Sequence, residues 1–85
     1  MDTDSRQAAI RKALAEEIRA ARARKKYSQG ELADLAGLSR ATVARLEMGT
    51  RSADVVQLIA IADALGIDPG VMLDAAQRKN RAEKG

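Results

Sequence analysis

Apolar residues recur along this 85-residue chain in five bursts at helical spacing, divided by short polar turns. The first burst, Ile10, Leu14, Ile18 and Ala21, predicts a long helix from about Asp4, read as its cap, to Arg24. The second, Leu32, Leu35 and Ala36, follows a start signal. Ser28 with Glu31 three residues later makes a capping box, and Tyr27 and Leu32 hold the two staple positions. Gly37 ends this helix, with a positive φ that a side chain would strain. Ser39 caps a third helix with Val43 and Leu46 inward, and Gly49 ends it. Ala33 is small, so the second and third helices can approach closely.

Residues Thr50 to Ala53 read as a loop, and Asp54 caps a fourth helix with Val55, Leu58, Ile59, Ala62 and Leu65 on one face. Gly66 ends it. Asp68 caps a fifth helix with Pro69 in first position, where a missing N–H costs nothing. Met72, Leu73 and Ala76 face inward, and the helix fades into a polar, basic tail. No repeat or interdomain linker interrupts the pattern. The fold class expected is all-α, five compact helices.

Composition narrows the chemistry. Tyr27 is the sole aromatic residue, so the core is built of Leu, Ile, Val, Met and Ala. The chain has no cysteine and no histidine, so disulfides, thiolate sites and zinc are not expected. No apolar run approaches the roughly 20 residues of a membrane span. The acidic start after Met1 does not suit a secretory signal, so a cytoplasmic protein is expected. Glu16 and Glu17 are adjacent and expected on different helix faces, not as a two-carboxylate site. No phosphate loop, nucleophile–base pair or metal cluster appears, so neither enzyme activity nor a cofactor is expected.

Net charge is only +3, but it is unevenly placed. From 22 to 51, seven bases (Arg22, Arg24, Lys25, Lys26, Arg40, Arg45, Arg51) face three acids, a local excess of +4. From 52 to 77 there are four aspartates and no base. The positive field thus coincides with the helix pair around Gly37, as phosphate binding requires. The outward face of the third helix carries Arg40, Ala41, Thr42 and Arg45: guanidinium groups, a hydroxyl and a methyl on a rod sized for a DNA major groove.

An exposed arginine is commonly just solvated. On this face, Arg40 and Arg45 are candidates to bridge guanine O6 and N7 with paired hydrogen bonds. Ala41 and Thr42 are candidates to pack a methyl against thymine, and Thr42 equally to cap the helix or bind a phosphate. Ser39 suits both cap and phosphate donor, and Thr50 and Arg51 are placed to grip the backbone beyond the helix. Arg24, Lys25 and Lys26 offset the dipole at the end of the first helix and attract DNA at long range.

The run Ser28-Gln29-x-x-Leu32-Ala33-x-x-Ala36-Gly37-Leu38-Ser39-x-x-Thr42-Val43-x-Arg45-Leu46-Glu47-x-Gly49 resembles the phage repressor and Cro type of helix-turn-helix, the xenobiotic-response-element (XRE) family. The resemblance continues through Leu58, Ile59, Ala62, Ala64-Leu65-Gly66-Ile67 and Leu73, and covers Leu14 to Leu73. It implies a lambda-repressor-like DNA-binding domain over residues 13–74. Residues 1–12 are then an N-terminal extension of helix 1, and residues 75–85 the end of helix 5 and a basic tail. It implies that Gln29 bonds a phosphate and braces the start of the recognition helix, where free N–H groups already favour anions. It also implies a structural ion pair between Arg22, late in helix 1, and Glu47, at the end of helix 3. The family often has proline where Ala53 stands, which implies a looser start to helix 4.

By the same resemblance the chain is a sequence-specific regulator of transcription, a repressor binding double-stranded DNA at a two-fold operator as a homodimer. Val56, Ala60, Ile61, Val71 and Ala75 lie off the core stripes, either scattered at the surface or clustered as an interface. Two recognition helices must reach successive major grooves roughly 34 Å apart, which places the two-fold axis at helix 5 and the end of helix 4. Ile67, Val71 and Ala75 are the expected contacts, with Ile10 and Leu14 of helix 1 the competing surface. Two alternatives keep the fold: an antitoxin regulating its own toxin pair, and a pure protein-interaction module. No effector or cleavage segment is apparent, so relief of repression calls for a protein partner (a toxin or antirepressor), a competitor or degradation.

Overall fold

The computed structural model describes residues 3–84, so residues 1, 2 and 85 of the terminal segments lie outside the described residues. Five helices follow one another: α1 (Thr3–Lys25), α2 (Gln29–Ala36), α3 (Arg40–Met48), α4 (Val55–Ala64) and α5 (Pro69–Lys84). Among the described residues there is no strand.

Local chemistry accounts for the boundaries. The Asp54 carboxylate accepts the Gln57 N–H at 2.7 Å, and the Gln57 carbonyl oxygen accepts the Asp54 N–H, a second capping box. Asp68 accepts the N–H of Gly70 at 2.8 Å, with Pro69 at the first helical position of α5. Asp4 is not the cap of α1. The helix already begins at Thr3, and Asp4 lies in its first turn, where a carboxylate offsets the helix dipole.

The end of α1 carries no glycine signal, yet it closes in a Schellman motif. Lys26 donates to the Ala23 carbonyl and Tyr27 to the Arg22 carbonyl, with Lys26 at φ 61°. A lysine there is strained, and its side chain makes no ion pair among the described residues. Lys26→Gly is expected to raise stability by up to about 1 kcal/mol, read as a higher melting temperature. A lower one would show that the turn is not the αL cap described.

The core gathers Ile18 and Ala21 of α1, Leu32 and Ala33 of α2, Val43 and Leu46 of α3, Ile61 and Ala62 of α4, Leu65, and Met72 of α5. α1 is the spine of a molecule 37 Å long, packing on α3 and α5, while α2 sits against α3 and α4, and α4 against α5. The inward face of α4 departs from the expected stripe. Ile61 is fully buried, whereas Val55 is 71% exposed and Ile59 50%. Residues 58, 61, 62 and 65 also satisfy helical spacing, and a helix with almost no polar residue leaves that choice to its neighbours. On α2 Ala33 rather than Leu35 takes the inner position, and Leu73 of α5 stays half exposed. Ile10 is 49% exposed because α1 runs on past the core.

α5 does not fade into a tail. It remains helical to Lys84 and is fastened to α1 by Lys79, whose ammonium lies 3.5 Å from Glu16 and 3.7 Å from Glu17. The two glutamates therefore converge on one cation rather than pointing apart.

Candidate nucleic-acid interface

The helix pair is fixed locally before it is fixed globally. Ser28 Oγ accepts the Glu31 N–H at 3.0 Å while Glu31 accepts the Ser28 N–H at 2.9 Å. α2 ends at Gly37 with φ 70°, a conformation that favours glycine. Leu38 donates its N–H back to the Ala33 carbonyl and packs against the core. Ser39 then caps α3, accepting the Thr42 N–H at 3.1 Å and donating its hydroxyl to Thr42 Oγ1 at 2.8 Å.

α3 has two unlike faces. Val43, Leu46 and Glu47 are buried, and Arg40, Ala41, Arg45 and Met48 are exposed, with Thr42 and Ala44 between. Nine residues make a rod of about 13 Å, short enough to lie along one major groove. No ion pair holds Arg40, Arg45 or Arg51 among the described residues, so these guanidinium groups are free for an anion or a base edge.

The inner face is held by one carboxylate. Glu47 is 1% exposed. Its Oε2 accepts from Arg22 Nε at 2.6 Å, and its Oε1 from Arg22 at 2.9 Å and from Gln29 Nε2 at 3.2 Å. The same arginine donates to the Tyr27 carbonyl at 2.9 Å, and Arg19 donates to the Glu47 carbonyl at 2.7 Å. Hydrogen bonding to Glu47 above all holds the Arg22 guanidinium above its ordinary value, against the opposing effect of burial and with a lesser contribution from the Glu47 charge. A fork-on-fork pair of this kind fixes angle as well as distance. It binds the end of α3 to α1 and to the first residue of α2, and no buried side-chain polar atom among the described residues is left unsatisfied.

The other candidates fall as follows. Gln29 has one amide N–H committed to Glu47, and Glu31 already supplies an anion at the start of α2. Thr50 donates to the Arg45 carbonyl at 3.3 Å from the turn that follows Gly49. Lys25 reaches across to Gly66 at the end of α4, where an ammonium offsets that helix's dipole. Ile67 is half-buried against the core, Ala75 is half-buried, and Val71 is 62% exposed. A hollow of about 330 Å³ brings Ile67 together with Val56, Ile59 and Ala60, but neither Val71 nor Ala75 lines it. Sequence reasoning missed the bonds from Arg19 and Gln29 to Glu47, and the exposed Met48 at the end of the reading face. The Arg19 signal was present: it stands one turn before Arg22 on the same side of α1.

Two helices joined by a glycine turn, the second offering a free basic face and locked behind by a buried ion pair, define a helix-turn-helix protein. The helix-turn-helix family model matches residues 18–72, and the chain belongs to this family, the XRE-type regulators of transcription that bind DNA. Among solved structures it is similar to the clp gene regulator ClgR from Corynebacterium glutamicum. The two are 27% identical, with a TM-score of 0.83 over 88% of this chain and 80% of that one. A second structure of ClgR gives 28% identity and a TM-score of 0.77 over 82% and 91%. The restriction-modification controller protein C.AhdI from Aeromonas hydrophila is 34% identical, with a TM-score of 0.71 over 73% of this chain and 94% of that one. No curated protein matches significantly. Among the described residues no cluster of His, Cys, Asp or Glu could hold a metal ion, and no single helix is long and apolar enough to cross a membrane.

Proposed function

We propose that this protein is a homodimeric repressor that binds a two-fold operator and acts by occupying promoter DNA in the cytoplasm. The observation that carries this reading is the two-faced α3. Arg40 and Arg45 are free on its outer side, while Glu47 is locked on its inner side. Arg40, Ala41, Thr42 and Arg45 contact base edges, and Gln29, Ser39, Thr50 and Arg51 contact phosphates. Gln29 uses the amide N–H that Glu47 does not take, so one side chain both braces the pair and touches the backbone. ClgR is a gene regulator and C.AhdI a controller protein, which supports a regulatory role here.

Selecting bound sequences from random DNA tests the reading. It should return a site with two-fold symmetry, and a sequence-blind pool would sink it. On the selected site, Arg45→Ala should cost about 1–3 kcal/mol and relax the choice of one base pair. Arg51→Ala should weaken every duplex alike and reduce the salt slope by about one. Equal losses for both variants on all sequences would refute this division of roles.

A further inference from the structure

We infer that the N-terminal half of α1 carries a second phosphate-binding site, formed by Arg11 and Lys12 beside Arg51, that extends the protein's grip on duplex DNA beyond the reading helix. The inference rests on the proposed DNA binding and adds a contact outside the segment 18–72 that the family match covers. Its first support is a close crossing. A methyl group at Gly49 would stand 3.5 Å from the Lys12 Cα and 3.7 Å from the Arg11 carbonyl oxygen. The end of α3 therefore abuts α1 at these two residues. The second support is a hollow of about 240 Å³ next to this crossing, lined by Arg11, Arg51 and Ser52 together with the apolar Leu14, Ile18 and Leu46. Two arginines from distant parts of the chain line one depression.

The third support is the missing counter-charge. Residues 5–15 and 48–53 contain no acid. Arg11, Lys12 and Arg51 have no ion pair among the described residues. The acids nearest along the chain are committed elsewhere: Glu16 and Glu17 to Lys79, and Asp54 to the start of α4. Like charges brought together without a partner repel, and a polyanion resolves that repulsion. Because Thr50 and Arg51 directly follow α3, a phosphate backbone passing them continues onto Arg11 and Lys12.

The test compares the full chain with R11Q/K12Q on two duplexes of equal length, one bearing the selected site and one of unrelated sequence, across a salt series. Two lost phosphate contacts should flatten the log–log salt slope by about 1.8 per protomer. The affinity gap between wild type and variant should then narrow about tenfold per protomer from 50 to 200 mM salt, equally on both duplexes. Base preference should not change, melting temperature should hold or rise as the repulsion is relieved, and the charge-keeping R11K/K12R should bind as wild type. Wild-type binding with an unchanged slope in R11Q/K12Q would overturn the site and leave the DNA reading standing. No salt-dependent binding by the wild type would overturn both.

Discussion

Replacing Glu47 by alanine should be among the most damaging single changes in this protein, costing about 3 kcal/mol of stability. The carboxylate is buried and receives three hydrogen bonds, two from Arg22 and one from Gln29. Its loss strands a guanidinium whose side chain is only 21% exposed. Breaking a buried pair by removing one partner costs roughly 3–5 kcal/mol, against under about 1 kcal/mol for an exposed pair. The lower end applies because Arg22 keeps its bond to the Tyr27 carbonyl and some water. For a chain of this size the melting temperature should fall by roughly 12–24 °C. A midpoint within 2–3 °C of wild type would show that the pair contributes no more than a surface contact. The double variant Glu47→Ala/Arg22→Ala should be less damaged than the sum of its parts, since the stranded charge is then gone.

The same carboxylate shows where sequence reading reaches its limit. The starts and stops of α2 and α3 were legible, because Ser28, Glu31, Gly37 and Ser39 act through groups at most four residues away. Residues acting across helices were legible only where a family pattern supplied the partner. The bonds from Arg19 and Gln29 to Glu47 span 28 and 18 residues; Arg19's place one turn before Arg22 marks its face of α1, but no local rule names Glu47 as its partner. Burial on α4 failed for a different reason. VVQLIAIADA is apolar almost all round, so periodicity permits two inward faces, and α2 and α5 select the one containing Ile61. At the end of α1 the usual glycine is absent and Lys26 bears the positive φ, which composition does not reveal. The exposed face of α3 was legible as a set of side chains, with Arg40, Ala41 and Arg45 exposed. Met48 was missed because methionine reads as core, yet it is 65% exposed, one turn along α3 from Arg45.

Val71→Asp is expected to yield a folded monomer with operator affinity reduced by about a hundredfold or more. A protomer presents one recognition helix, and linking two converts the second binding event into an intramolecular one, which multiplies affinity by roughly 10²–10⁴. The substitution isolates assembly from folding. Val71 is 62% exposed, and it lies in the first turn of α5, where a carboxylate is favoured by the helix dipole. Ile67 would be a poorer choice, because it packs against the core and its replacement confounds the two effects. The exposed apolar residues around it, Val56 and Ile59, lie in the stretch 52–77, whose four aspartates and lack of any base suit the face the proposed dimer turns away from DNA. In the proposed dimer an aspartate at 71 would face its own symmetry mate across the two-fold axis, where repulsion and desolvation act together. Sedimentation at micromolar concentration distinguishes monomer from dimer. A dimer that survives Val71→Asp but dissociates with Ile10→Asp would place the interface on α1, where Ile10 and Leu14 border the groove between α1 and α5.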